Sequence, residues 1–147
     1  MASILKVDAL QGIASAGSIT VTSEGGTATQ SLQQGLAKVW VNFSGITVTI
    51  RDGLNATSLT DNGSGRFDVN HTNNMGNINY SVQVTSSYGG TDVGGVDDDD
   101  YINGIGTIRR VSGSTSTGST KIITGPGFGT SVQDHAQSMT LVHGDLA

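Results

Sequence analysis

Short runs in which β-branched or aromatic residues alternate with polar ones, each closed by a Gly-, Asn- or Asp-rich turn, constrain this chain more than any other feature. A period of two puts alternate side chains on opposite faces of an extended backbone, so each run reads as a half-buried strand. Ile19 and Val21 alternate with Thr20 and Thr22; Val39, Val41 and Phe43 share one face, and Lys38, Trp40 and Asn42 the other. Val48 with Ile50, Phe67 with Val69, Tyr80 with Val82 and Val84, Ile108 with Val111, Ile122 with Ile123, and Met139 with Leu141 continue the series. Turn signals fall between them at Gly25-Gly26, Ser44-Gly45, Asp52-Gly53, 61–65 and 73–76. Eight or nine short strands predict an all-β, antiparallel β-sandwich or jelly-roll-like domain.

Helix has one foothold, Ala28 to Ala37, where Leu32 and Leu36 stand four apart and Thr27 or Thr29 offers a cap. Residues 131–137 fit either a further helical turn or two or the lead-in to the last strand. Composition then divides the chain. Residues 1–35 are poor in aromatics and read as an extended N-terminal arm for attachment or assembly; residues 36–147 read as the β domain, with Gly-rich loops over about 87–129.

Gly, Ser, Thr and Asn make up 66 of the 147 residues, whereas Leu, Ile, Val and Phe supply only 35. Such a core is thin against a backbone entropy of roughly 1–2 kcal/mol per residue, highest at the 22 glycines. Burial between subunits would offset part of it, so self-association is expected. The net charge of -5 and the scattering of seven Lys and Arg disfavour a nucleic-acid partner. Without Cys there is no disulfide framework and no thiolate metal site. The first 15 residues lack a secretory apolar run, and no stretch approaches the ~20 apolar residues of a membrane span, so neither export nor membrane insertion is expected.

Few constellations carry chemistry. The run Asp97, Asp98, Asp99 and Asp100 offers hard oxygen ligands to a divalent cation such as calcium. An EF-type pattern set on Asp99 places Asn103 and Gly104 correctly but puts Tyr101 and Arg110 where ligands belong, so a solvated acidic loop is the favoured reading. Gly125-Pro126-Gly127-Phe128-Gly129 lacks the third Gly and the following Lys of a phosphate loop, and reads as a turn. His71, His135 and His143 have no ligand spacing, and no Gly-x-Ser-x-Gly elbow or selected acid pair supports an enzyme. Trp40, on the strand face opposite Val39, Val41 and Phe43, suits an inter-subunit contact or a second packed layer, with a sugar-stacking platform as the alternative. Tyr88, Tyr101 and Phe128 are the loop aromatics that would contact a glycan.

The segment 36–45, Leu-Ala-Lys-Val-Trp-Val-Asn-Phe-Ser-Gly, followed by 50–65, Ile-Arg-Asp-Gly-Leu-Asn-Ala-Thr-Ser-Leu-Thr-Asp-Asn-Gly-Ser-Gly, resembles small tail-fibre and virion structural proteins of tailed bacteriophages, above all those of marine phages. In that group an Ala-Lys-x-Trp-x-Asn-Phe-x-Gly strand leads to an Asp-rich turn, a Val-Asn strand and an Asn-Tyr strand, matched here by Val69-Asn70 and Asn79-Tyr80. The opening at residues 2–8 and Gly144-Asp145 are similar too. Leu54 departs from it, standing where an aromatic is common, and 88–129 has no matching pattern. The resemblance implies a complete, non-enzymatic virion component, assembled in the host cytoplasm as an intertwined homotrimer and joined to other virion proteins. It is expected to be a tail-fibre-like appendage with host-surface adhesion, specificity lying in 88–129; a capsid decoration protein and a stand-alone carbohydrate-binding module are the alternatives.

Overall fold

A computed structural model describes residues 4–13, 19–22, 25–87, 104–108 (backbone only), 116–125 and 132–147. The chain divides into two compact units, Met1–Leu36 and Ala37–Ala147.

In the first unit, residues 4–13 run without regular structure, and β1 (Thr20–Thr22) pairs antiparallel with β2 (Thr29–Ser31), matching Val21 to Gln30. The helix expected over 28–37 is a single turn, α1 (Leu32–Gly35), and its cap is Ser31 rather than Thr27 or Thr29: the Ser31 Oγ accepts the Gln34 N–H. Residues 29–31 are taken by β2, and Leu36, more than half exposed, gives the helix no apolar face to bury. One turn alone fixes too many dihedrals for too few bonds to propagate.

The described residues of the second unit are mostly antiparallel β-strands, as the alternation predicts. Its strands are β3 (Ala37–Ser44), β4 (Thr49–Leu54), β5 (Ala56–Asp61), β6 (Arg66–His71), β7 (Ser81–Ser87), β8 (Gly104–Ile108), β9 (Ser119–Gly125) and β10 (Gln137–His143). Among the described residues they form one sheet in the order β4-β3-β10-β7-β8-β9-β6-β5. β3 and β6 are far apart in that order, yet Phe43 and Phe67 meet edge to face with ring centroids 5.4 Å apart. The sheet therefore curls until its two halves face each other across a core of Val39, Val41, Phe43, Phe67, Val69, Met75, Tyr80, Ile122 and Val142.

Turn chemistry sets the curl. β4 and β5 are joined by the single residue Asn55, held at φ +57, a left-handed conformation that Asn tolerates. Its side chain is clamped on both sides, Nδ2 donating to the Asn73 carbonyl at 3.0 Å and Oδ1 accepting the Asn73 N–H at 2.6 Å. In the β5–β6 hairpin the Asp61 carboxylate accepts the Gly63 N–H. Gly65, at φ +62, lies so close to Gln133 and Thr124 that an added Cβ would sit 2.5 Å from the Thr124 oxygen.

The last strand inverts its apparent pattern. Ser138, Thr140 and Val142 are the buried side of β10, while Met139 is nearly half exposed on the other face. Residues 132–136, left open between helix and lead-in, contain no helix. Val111 and most of the Gly-rich region 87–129 lie outside the described residues.

Candidate interaction surface

Directly paired residues of an antiparallel ladder project to the same face of the sheet, so the registers show what each face carries. Trp40 pairs with Leu54 of β4 on one side and Leu141 of β10 on the other. Leu141 in turn pairs with Gln83 of β7. The adjacent row is Asp52, Asn42, Met139 and Thr85. Trp40 is 37% exposed, Leu54 49% and Met139 45%, with Leu141 half-buried beside them. Four large apolar side chains from three strands thus form one patch on the outside of the sheet. Strand parity identifies Trp40 from sequence; Leu54, Leu141 and Met139 join it only through pairings between distant strands.

The outer face of β5, β6 and β9 is of the opposite character. Its rows are Ser58-Asn70-Ser119 and Thr60-Asp68-Lys121. Asn70 Nδ2 donates to both Ser58 Oγ and Thr60 Oγ1 at 3.0 Å, Asn62 Nδ2 donates to Asp68 Oδ1 at 2.9 Å, and Thr72 Oγ1 donates to Thr57 Oγ1 at 3.1 Å. These groups satisfy one another across the strands and offer little apolar area for a partner to dehydrate.

Between the two halves lies a polar seam that the alternation does not reveal. His135 is fully buried, and its Nδ1 lies 2.9 Å from the Ser86 Oγ. Burial lowers the His135 pKa, opposed by the nearby Asp134 carboxylate, whose Oδ1 accepts the Gly65 N–H. Ser138 pairs with Ser86 on one side and Phe43 on the other; its Oγ and the Thr140 Oγ1 have no hydrogen-bond partner among the described residues. His71 is also buried. Its Nδ1–H donates to the Thr117 carbonyl at 3.0 Å, leaving Nε2 to accept from Thr120 Oγ1, and desolvation again lowers its pKa despite the Thr117 bond. A Ser beside a His suggests nucleophilic chemistry, but a nucleophile must reach its substrate. Ser86 is 3% exposed and His135 not at all, so here the pair acts as a bond within the core.

Of the residues singled out in the sequence, Trp40 is placed on the exposed patch. The acidic run Asp97, Asp98, Asp99 and Asp100 and the aromatics Tyr88, Tyr101 and Phe128 lie outside the described residues. Among the described residues no three His, Asp or Glu side chains are grouped to hold a metal ion, and no helix is long and apolar enough to cross a membrane. No protein-family model, curated protein or solved structure matches this chain.

Proposed function

We propose that this protein is a non-enzymatic structural component that assembles with copies of itself, the patch around Trp40 forming the contact between copies. One observation carries the reading: the apolar row Leu54-Trp40-Leu141 lies open on one outer face, while the opposite outer face is a ladder of hydroxyls and amides. Each large apolar side chain moved from water into such a contact contributes about 1–2 kcal/mol, which suits a chain whose own core is thin. In this reading the two facing halves of the sheet act as the layers of a sandwich, residues 1–35 serve as the arm, and three copies close a ring. The likeness of 36–45 and 50–65 to tailed-phage proteins supports reading the assembly as a virion component, a tail-fibre-like appendage built in the host cytoplasm, with the host-surface contact in the loops of 87–129.

Light scattering on the purified chain across a dilution series tests this. A mass near three times 15.0 kDa is expected. Trp40→Asp with Leu141→Asp, both on the outer face, is expected to release folded monomer. A wild-type chain that is monomeric at every concentration, or a double variant that assembles as well as wild type, overturns the proposal.

A further inference from the structure

The segment Leu5-Lys6-Val7-Asp8-Ala9 has the pattern of a strand, Leu5, Val7 and Ala9 on one side and Lys6 and Asp8 on the other, but it is in no sheet. Ile4, Leu5, Val7, Leu10 and Ile13 are all exposed, Val7 by 56% and Ile13 completely. No hydrogen bond joins residues 4–13 to the other described residues of Met1–Leu36. Five large apolar side chains and a row of backbone N–H and C=O groups therefore stand in water, with no proline among them to prevent strand pairing.

Among the described residues β4 ends the sheet order with β3 as its only partner strand, which leaves one side of its backbone as an edge. The row Leu141-Trp40-Leu54 runs across the outer face and stops at that edge. A ninth strand added beside β4 would continue the row with an apolar residue next to Leu54. Charge fixes its direction. Read along the chain, the segment carries Lys6 then Asp8, and β4 carries Arg51 then Asp52, so an antiparallel alignment brings Lys6 toward Asp52 and Asp8 toward Arg51. A parallel alignment would bring like charges toward each other.

We propose that residues 4–10 of one copy add as an antiparallel strand to the β4 edge of a second copy. Backbone bonds along the edge supply affinity, and the order of charges favours the antiparallel direction. The Gly53 N–H of β4 is held by its neighbouring side chain, bonded to the Asp52 Oδ1 at 2.8 Å. That local bond lies at the exposed surface and exchanges for an interchain one with little net change. The inference rests on the reading that copies associate, and it names a second contact besides the Trp40 patch.

Charge exchange in the full-length protein tests it. Lys6→Asp with Asp8→Lys reverses the segment, and Arg51→Asp with Asp52→Lys reverses the edge; each pair of changes alone is expected to weaken assembly roughly tenfold in a light-scattering dilution series. All four changes together restore the attraction and should return the dissociation constant to within about threefold of wild type. Loss of a structural role for Asp52 could not be repaired by changes at residues 6 and 8, so the restoration is diagnostic. Assembly unaffected by either exchange, or not restored by the combination, overturns the strand addition while leaving self-association through the Trp40 patch standing. A wild-type chain that is monomeric throughout overturns both.

Discussion

Replacing Thr140 by Val should make the protein more stable. Thr140 is 2% exposed on the inner side of β10, between Val41 of β3 and Val84 of β7, and its Oγ1 has no hydrogen-bond partner among the described residues. A buried hydroxyl without a bond carries a desolvation penalty of about 1–3 kcal/mol, whereas a methyl group in the same place lies against its valine neighbours. Val keeps the β-branch and nearly the same shape, so strand preference is unchanged and no cavity opens. The net gain expected is about 1–2 kcal/mol, or roughly 3 °C in Tm for each kcal/mol in a chain of this size. Urea unfolding at fixed protein concentration measures it, and an unchanged m-value attributes the shift to the folded state. A companion change sharpens the test: Ser86→Ala removes the partner of the His135 Nδ1 and should instead destabilise by about 1–3 kcal/mol. Destabilisation of Thr140→Val by about 1 kcal/mol or more would refute the reasoning, since the hydroxyl would then be making a bond that the structure lacks.

Gly65→Ala is expected to destabilise by about 3 kcal/mol or more in the same assay, because the new Cβ meets the Thr124 and Gln133 backbone at a φ of +62 that Ala avoids; wild-type stability would show that the hairpin can move away. Stability is also expected to fall with acid. His71 and His135 are both held below the usual histidine value of 6.5, so above that pH both states are neutral and stability is complete. As pH drops below 6.5 the unfolded chain takes up protons that the folded chain refuses, and stability declines until the lowered folded values are reached. Denaturant midpoints between pH 8 and 4 read this, and the slope between 6.5 and 5 should flatten in a His71→Gln, His135→Gln variant that still folds; an identical slope would locate the acid sensitivity elsewhere.

How much of this was legible in the sequence depended on how local the cause was. β3 is transparent because Val39, Val41 and Phe43 combine strand preference with the apolar parity, and the same parity puts Trp40 outside. β10 misleads, since its largest side chains, Met139 and Leu141, lie on the outer face while Ser138 and Thr140 enter the core. Nothing within that strand says which face is inner; the neighbours at Phe43 and Ser86 decide it, and they are distant in sequence. The helix is confined to one turn for a local reason: Ser31 is as good a cap as Thr29, and Gly35 stands just one turn later. The surface patch was one-quarter visible, Trp40 by parity and its three companions only by register.

The placement of β3 between β4 and β10 has a consequence for how the molecule is made. β4 follows β3 after a short turn and can pair at once, but the other side of β3 waits for β10, Phe43 meeting Ser138 roughly 95 residues later, so loop closure on that scale makes this pairing slow. During synthesis the most apolar strand of the sheet therefore presents a raw backbone edge until nearly all the rest of the described sheet has left the ribosome. Neighbouring nascent chains on one message could be captured through that edge, which makes yield at high expression sensitive to chaperones and to translation speed rather than to the stability of the finished fold.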